Sequence, residues 1–122
     1  MSTLGGNFIP PDKQKRNTAR LKLGKPAEFR FAGEQRWSAC TLNDISIGGV
    51  SIEGNMSFYV GDKIDLRFTL DGRTLIAKLE ITNIAGKKAG GRFASLMDSD
   101  LEFIRDYLNN NLFSDGQSDQ FR

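Results

Sequence analysis

Residues 64–81 read Ile-Asp-Leu-Arg-Phe-Thr-Leu-Asp-Gly-Arg-Thr-Leu-Ile-Ala-Lys-Leu-Glu-Ile. Ile64, Leu66, Phe68 and Leu70 fall on one face of an extended chain, and Asp65, Arg67 and Thr69 fall on the other. That period of two is the signature of a half-buried strand. Asp71-Gly72 follows, and a type I′ turn needs positive φ at both central positions, which this pair adopts at low cost. Leu75, Ala77, Leu79 and Ile81 then line one face of a returning strand. An antiparallel hairpin is the centre of the fold.

The same texture extends both ways. Upstream, Phe29 and Phe31 alternate with Glu28 and Arg30, and Ala32-Gly33-Glu34 offers a turn. Trp37, Ala39 and Thr41 alternate with Ser38, Cys40 and Leu42 as a second strand. Val50 and Ile52 continue as a third after the Ile47-Gly48-Gly49 break. Downstream, Gly86 to Gly91 reads as a turn and Phe93 to Met97 as the last strand. Six or so short antiparallel strands in about 70 residues predict a mainly β chain closed as a small barrel, because closure removes exposed edges. Ser99 and Glu102 then fit a capping box. Leu101, Ile104, Leu108 and Leu112, widened by Phe103 and Tyr107, make a helical apolar stripe. This C-terminal α-helix is expected to plug a barrel mouth or pack on its wall rather than dock a partner. Trp37 is expected in the core or at the barrel rim, and Cys40 as an inert strand residue.

Three segments follow: a flexible arm over residues 1–24, a barrel with its helix over 25–112, and a frayed polar tail over 113–122. The arm holds a small apolar island, Phe8-Ile9, between Gly5-Gly6 and Pro10-Pro11. At 122 residues and 13.6 kDa the chain suits one domain. It has no run of about 18 apolar residues and no secretory leader pattern, so a cytoplasmic protein without membrane insertion is expected. One cysteine forms no internal disulfide, and the absence of histidine removes the commonest general base and transition-metal ligand. With no base–nucleophile pair in view, the expectation is a protein that is not an enzyme and holds neither metal nor cofactor.

The net charge of +2 is unevenly placed. Between Asp12 and Arg30 there are seven basic residues against two acids, a local +5, leaving −3 for the remainder. Such a bias suits a polyanionic partner. Within it lies Arg16-Asn17-Thr18-Ala19-Arg20, an R-x-x-x-R just ahead of the barrel. Asp44-Ile45-Ser46-Ile47-Gly48-Gly49, a D-x-S-x-x-G, stands where the second strand leaves the sheet. Each pattern is weak alone, but their conjunction in this order is specific.

Together with Gly90-Gly91-Arg92-Phe93, these motifs resemble the PilZ domains that bind the bacterial second messenger cyclic di-GMP. The resemblance runs from about Lys15 to about Leu112. It implies a six-stranded antiparallel barrel with a C-terminal helix, no catalysis, and cyclic di-GMP as ligand. It further implies ligand contacts from Lys15, Arg16, Arg20, Asp44, Ser46, Gly48 and Gly49. The family often carries arginine where Lys15 stands. Lysine keeps the charge but not the fork, so one or two ligand molecules per site remain open on this residue.

The chemistry of the residues agrees with such a ligand. Cyclic di-GMP presents two phosphates and two guanines, and arginine pairs bidentately with phosphate oxygens or with guanine O6 and N7. The Asp44 carboxylate suits the N1–H and N2–H₂ edge of guanine. Ser46 offers a further polar contact or holds the turn. Gly48 and Gly49 are expected to adopt positive φ and to let the ligand approach without a Cβ in the way. In the mechanism this suggests, the arm orders over bound ligand and exposes a surface to a protein effector in motility, pilus, biofilm or exopolysaccharide control. Two alternatives stand beside it. One is a small barrel for RNA or single-stranded DNA, opposed by phenylalanines that fall mostly on the inner face. The other is a PilZ-like interaction module without a ligand.

Overall fold

The computed structural model describes residues 19–55 and 57–113. The expectations for residues 1–18, Phe8-Ile9 among them, and for the tail from Ser114 lie outside the described residues. Six strands run β1 (Leu21–Phe31), β2 (Ser38–Ile45), β3 (Gly49–Glu53), β4 (Lys63–Leu70), β5 (Arg73–Ala85) and β6 (Lys88–Ser95). A helix, α1 (Asp98–Leu108), and a wider π-helical turn over Asn109–Phe113 complete the body.

The strands close into an antiparallel barrel in the order β1-β2-β3-β6-β5-β4. Pairing of β1 with β4 over Glu28–Phe31, with Phe29 opposite Leu66, closes the ring. The central hairpin is as its sequence predicts: Asp71 and Gly72 take φ of 49° and 80°, and the inward set from Ile64 to Ile81 is buried. Ile104, Tyr107 and Leu108 bring α1 into the same core. A clamp at the hairpin fixes the helix there. Arg73 donates to Asp100 at 2.6 Å, and its guanidinium lies 4.9 Å from the Phe103 ring centroid. Burial, with the Asp71 carboxylate nearby, pushes the Tyr107 hydroxyl above its usual pKa.

Four local expectations are corrected. Leu21–Gly24 is not part of the arm but the start of β1, and Lys22 pairs with Asp44. Gly24, at φ 67°, takes the left-handed conformation of a bulge that lets β1 stay in register with β2. Gly90 and Gly91 belong to β6, because the turn closes at Gly86 with φ 63°. No capping box forms: Met97 is the N-cap without a side-chain bond, and Asp98 and Asp100 face the positive end of the helix dipole instead. Trp37 precedes β2 on the outer surface. The Arg30 and Arg67 guanidiniums lie 4.5 and 4.1 Å from its ring centroid, two cation–π contacts. The same arginines pair with Asp65 at 2.9 Å and Glu28 at 2.6 Å. Burial raises the Asp65 pKa, but Arg30 and Lys78 outweigh it and hold the carboxyl below its ordinary value.

Cys40 is buried, and desolvation, reinforced by the Glu28 charge, pushes its thiol from 9.0 up to about 11. Two outcomes follow. Alkylation at neutral pH is expected to be slow in the folded chain and rapid in denaturant, as a maleimide time course would show. Because the folded-state pKa is the higher one, this stabilising contribution is complete below pH 9 and is lost as pH rises towards 11. Cys40→Ala should flatten that part of a melting-temperature profile.

Candidate functional site

Arg20 of the first motif meets Asp44 of the second where β2 passes into β3. Their placement depends on a bulge. Leu42 and Ile45 are both fully buried although three residues apart, because Asn43 is an additional residue against β3. Strict alternation from Leu42 would turn Asp44 into the core; the bulge turns it outward. There Asp44 lies opposite Lys22 on one side and Ser51 on the other.

Arg20 reaches this carboxylate from just ahead of β1. Its Nη1 donates to Asp44 Oδ1 at 2.7 Å, with side-chain exposures of 50% and 21%. The structure therefore brings together the last residue of the first motif and the first residue of the second. It also revises the picture of a free arm: Arg20 is docked, and the chain from Leu21 onward is sheet. Lys15 and Arg16 lie outside the described residues.

Ser46 is turned inward on its own loop and is only 5% exposed. Its N–H donates to the Gly49 carbonyl at 2.8 Å. Its hydroxyl donates to that carbonyl at 3.4 Å and accepts from the Gly48 N–H at 3.3 Å. Its visible work is to hold the loop that presents Asp44. The Phe93 N–H donates to the Gly48 carbonyl at 2.9 Å, tying this loop to β6.

Neither Gly48 nor Gly49 adopts positive φ, contrary to expectation. Gly49 is required for a different reason: a Cβ there would overlap the Gly91 carbonyl oxygen and lie 2.9 Å from Arg92 Cα, so β3 and β6 approach too closely for any side chain. A Cβ at Gly48 would meet nothing within 4 Å, leaving its backbone open to the outside.

Groups outside the two motifs share the surface, with Gly90 and Arg92 of the Gly90-Gly91-Arg92-Phe93 pattern among them. Arg92 lies opposite Gly49 and pairs with Glu80 at 2.5 Å. Ser51 lies opposite Gly90, and Gly90 opposite Asn83. Cross-strand register brings them to the surface that Asp44 shares, and for Ser51, Glu80 and Asn83 a single sequence carries no signal beyond the hairpin order. Among the described residues no cluster of Cys, Asp or Glu is able to hold a metal ion.

Fold and site together define a small antiparallel barrel that presents ion-paired arginines, their carboxylate partners and open backbone on its outer surface. The chain belongs to the PilZ domain family, whose sequence profile matches residues 14–110. Among curated proteins none matches the sequence. Three solved structures share the fold. The PilZ domain of CeSA from a cellulose-synthesizing bacterium is 18% identical, with a TM-score of 0.58 over 80% of this chain and 97% of its own. The Bacillus subtilis inhibitor of motility, MotI/DgrA, is 16% identical with a TM-score of 0.59, over 79% of this chain and 53% of its own. The Borreliella burgdorferi PlzA protein, solved in complex with c-di-GMP, is 15% identical with a TM-score of 0.58, over 81% of this chain and 43% of its own. The chain thus spans about half of the Bacillus protein and less than half of PlzA. Among the described residues no helix is long and apolar enough to cross a membrane.

Proposed function

We propose that this chain is a cyclic di-GMP receptor, acting as a cytoplasmic adaptor rather than an enzyme and passing its occupancy to a protein effector. The observation that supports the reading is the Arg20–Asp44 pair, in which one charged residue of the first motif touches the carboxylate of the second on the outer surface. Each satisfies the other within the protein. Arg20 exchanges the carboxylate for phosphate oxygens or a guanine O6/N7 edge, and Asp44 is released to accept from guanine N1–H and N2–H₂. Arg16 supplies the second fork. Lys15 and Lys22 add charge, and Ser46 acts as a positioning residue through the loop it closes. Exchange of an existing ion pair also gives the ligand differential affinity for a rearranged arm, which a signal to a partner requires.

Calorimetric titration of the full chain tests this. Cyclic di-GMP is expected to bind at about micromolar concentration, near −8 kcal/mol. Cyclic di-AMP and GMP should give no saturable heat, and the molar ratio reads one or two ligands per chain. No binding of cyclic di-GMP at high micromolar concentration, or equal binding of cyclic di-AMP, overturns the reading.

A further inference from the structure

The geometry points to Asn83 as the residue that receives the second base, and to a ligand range that includes a mixed guanine–adenine cyclic dinucleotide. This rests on the reading above and deepens it. The register of β5 against β6 shifts between Ile81 and Asn83, leaving Thr82 as the additional residue. Ile81 stays buried, while Asn83 is turned to the outer surface opposite Gly90. One transverse row therefore crosses four neighbouring strands: Asp44, Ser51, Gly90, Asn83. With strands about 4.8 Å apart, Asp44 and Gly90 are separated by roughly 10 Å, with only a serine between them.

Gly90 is not in the left-handed region, so its backbone does not demand glycine. What the missing Cβ leaves room for is the Asn83 amide. A Cβ on Gly90 would lie 2.8 Å from both Nδ2 and Oδ1. The amide thus lies across β6 at the far end of a floor built of Ser51 and bare backbone. Among the described residues its Nδ2 makes only a 3.5 Å contact to the Thr82 hydroxyl, and its Oδ1 accepts no hydrogen bond. A planar donor–acceptor pair over an open floor suits the edge of a purine.

The two ends of the row differ in what they admit. Asp44 accepts only, so it requires the two adjacent donors of guanine, N1–H and N2–H₂. Asn83 offers one acceptor and one donor and can rotate by half a turn. In one orientation it meets guanine N1–H and O6; in the other it meets adenine N6–H₂ and N1. The surface is therefore strict for guanine at the first position and tolerant at the second. It should bind 3′,3′-cyclic GMP–AMP within about tenfold of cyclic di-GMP, while rejecting cyclic di-AMP.

Titration of full-length wild type, Asn83→Ala, Asn83→Asp and Gly90→Ala with these three dinucleotides tests it. Asn83→Ala should weaken cyclic di-GMP and the mixed ligand alike by about tenfold, one good bidentate pair. Asn83→Asp restores strictness: the mixed ligand should lose at least tenfold relative to cyclic di-GMP, because a carboxylate faces the adenine N1 lone pair. Gly90→Ala should match Asn83→Ala with an unchanged melting temperature, since only a flexible amide has to move. If wild type binds cyclic di-GMP but Asn83→Ala is indistinguishable from it, or if wild type rejects the mixed ligand by more than a hundredfold, the assignment of Asn83 falls and the receptor reading stands. If wild type binds no cyclic di-GMP, both fall.

Discussion

Arg20→Ala in the full chain is expected to lower affinity for cyclic di-GMP by about a hundredfold and to leave the melting temperature within about 1 °C of wild type. The affinity term comes from a charge-assisted fork worth about 3 kcal/mol when it closes on phosphate or a guanine edge. The stability term is small because Arg20 precedes β1, is half exposed, and makes its one ion pair among the described residues at the surface. Arg16→Ala with Arg20→Ala should take binding below detection, since about 6 kcal/mol removed from −8 kcal/mol leaves a Kd of only tens of millimolar. Arg20→Lys separates charge from shape: it keeps the cation, loses the planar fork, and should recover only part of the loss. Calorimetry and thermal unfolding read both quantities on the same samples. An Arg20→Ala protein that titrates like wild type sinks the exchange of Asp44 for ligand, because nothing else in the described structure gives Arg20 a role.

How far the sequence carries can be judged from particular residues. The hairpin at Asp71-Gly72 was legible because both its signals are local: alternation along each arm, and φ values that one dipeptide adopts cheaply. The stripe of α1 was legible for the same reason, with Ile104, Tyr107 and Leu108 buried as their spacing requires. What lay hidden was non-local. The bulges at Asn43 and Thr82 are set by the count of residues on the facing strands, which no window along one strand contains. Those bulges nonetheless decide that Asp44 and Asn83 face outward. The capping pair Ser99 and Glu102 shows the converse: a local pattern was present, but tertiary packing started the helix earlier and its first-turn acids replaced the cap. The motif glycines were legible as glycines, yet the reason for Gly49 is the close approach of a strand some forty residues away. Trp37 was read as an apolar residue of core or rim, and its contacts with Arg30 and Arg67 required knowing that β1 and β4 are neighbours.

That close approach sets the last expected result. Gly49→Ala should be among the most damaging single substitutions on this surface, at about 3 kcal/mol of stability and a melting temperature lower by on the order of 10–20 °C. The new Cβ would overlap the Gly91 carbonyl and press on Arg92 Cα, both of them backbone, so no rotamer change relieves it. β3 and β6 must separate, which strains the Val50–Gly91 and Ser51–Gly90 pairs and the Phe93 to Gly48 hydrogen bond. The Ser46–Gly49 closure goes with them, and Asp44 loses the loop that fixes it, so ligand affinity should fall in parallel with stability. Gly48→Ala is the matched control. Its Cβ meets nothing within 4 Å and its φ is ordinary, so the melting temperature should hold. Any loss of cyclic di-GMP binding in Gly48→Ala then reports a methyl group standing where the ligand lies. Thermal unfolding of the two variants separates fold from contact at adjacent positions of one motif. A Gly49→Ala protein that melts within about 2 °C of wild type would show that β3 and β6 have room to spare, and that the glycine serves the ligand instead.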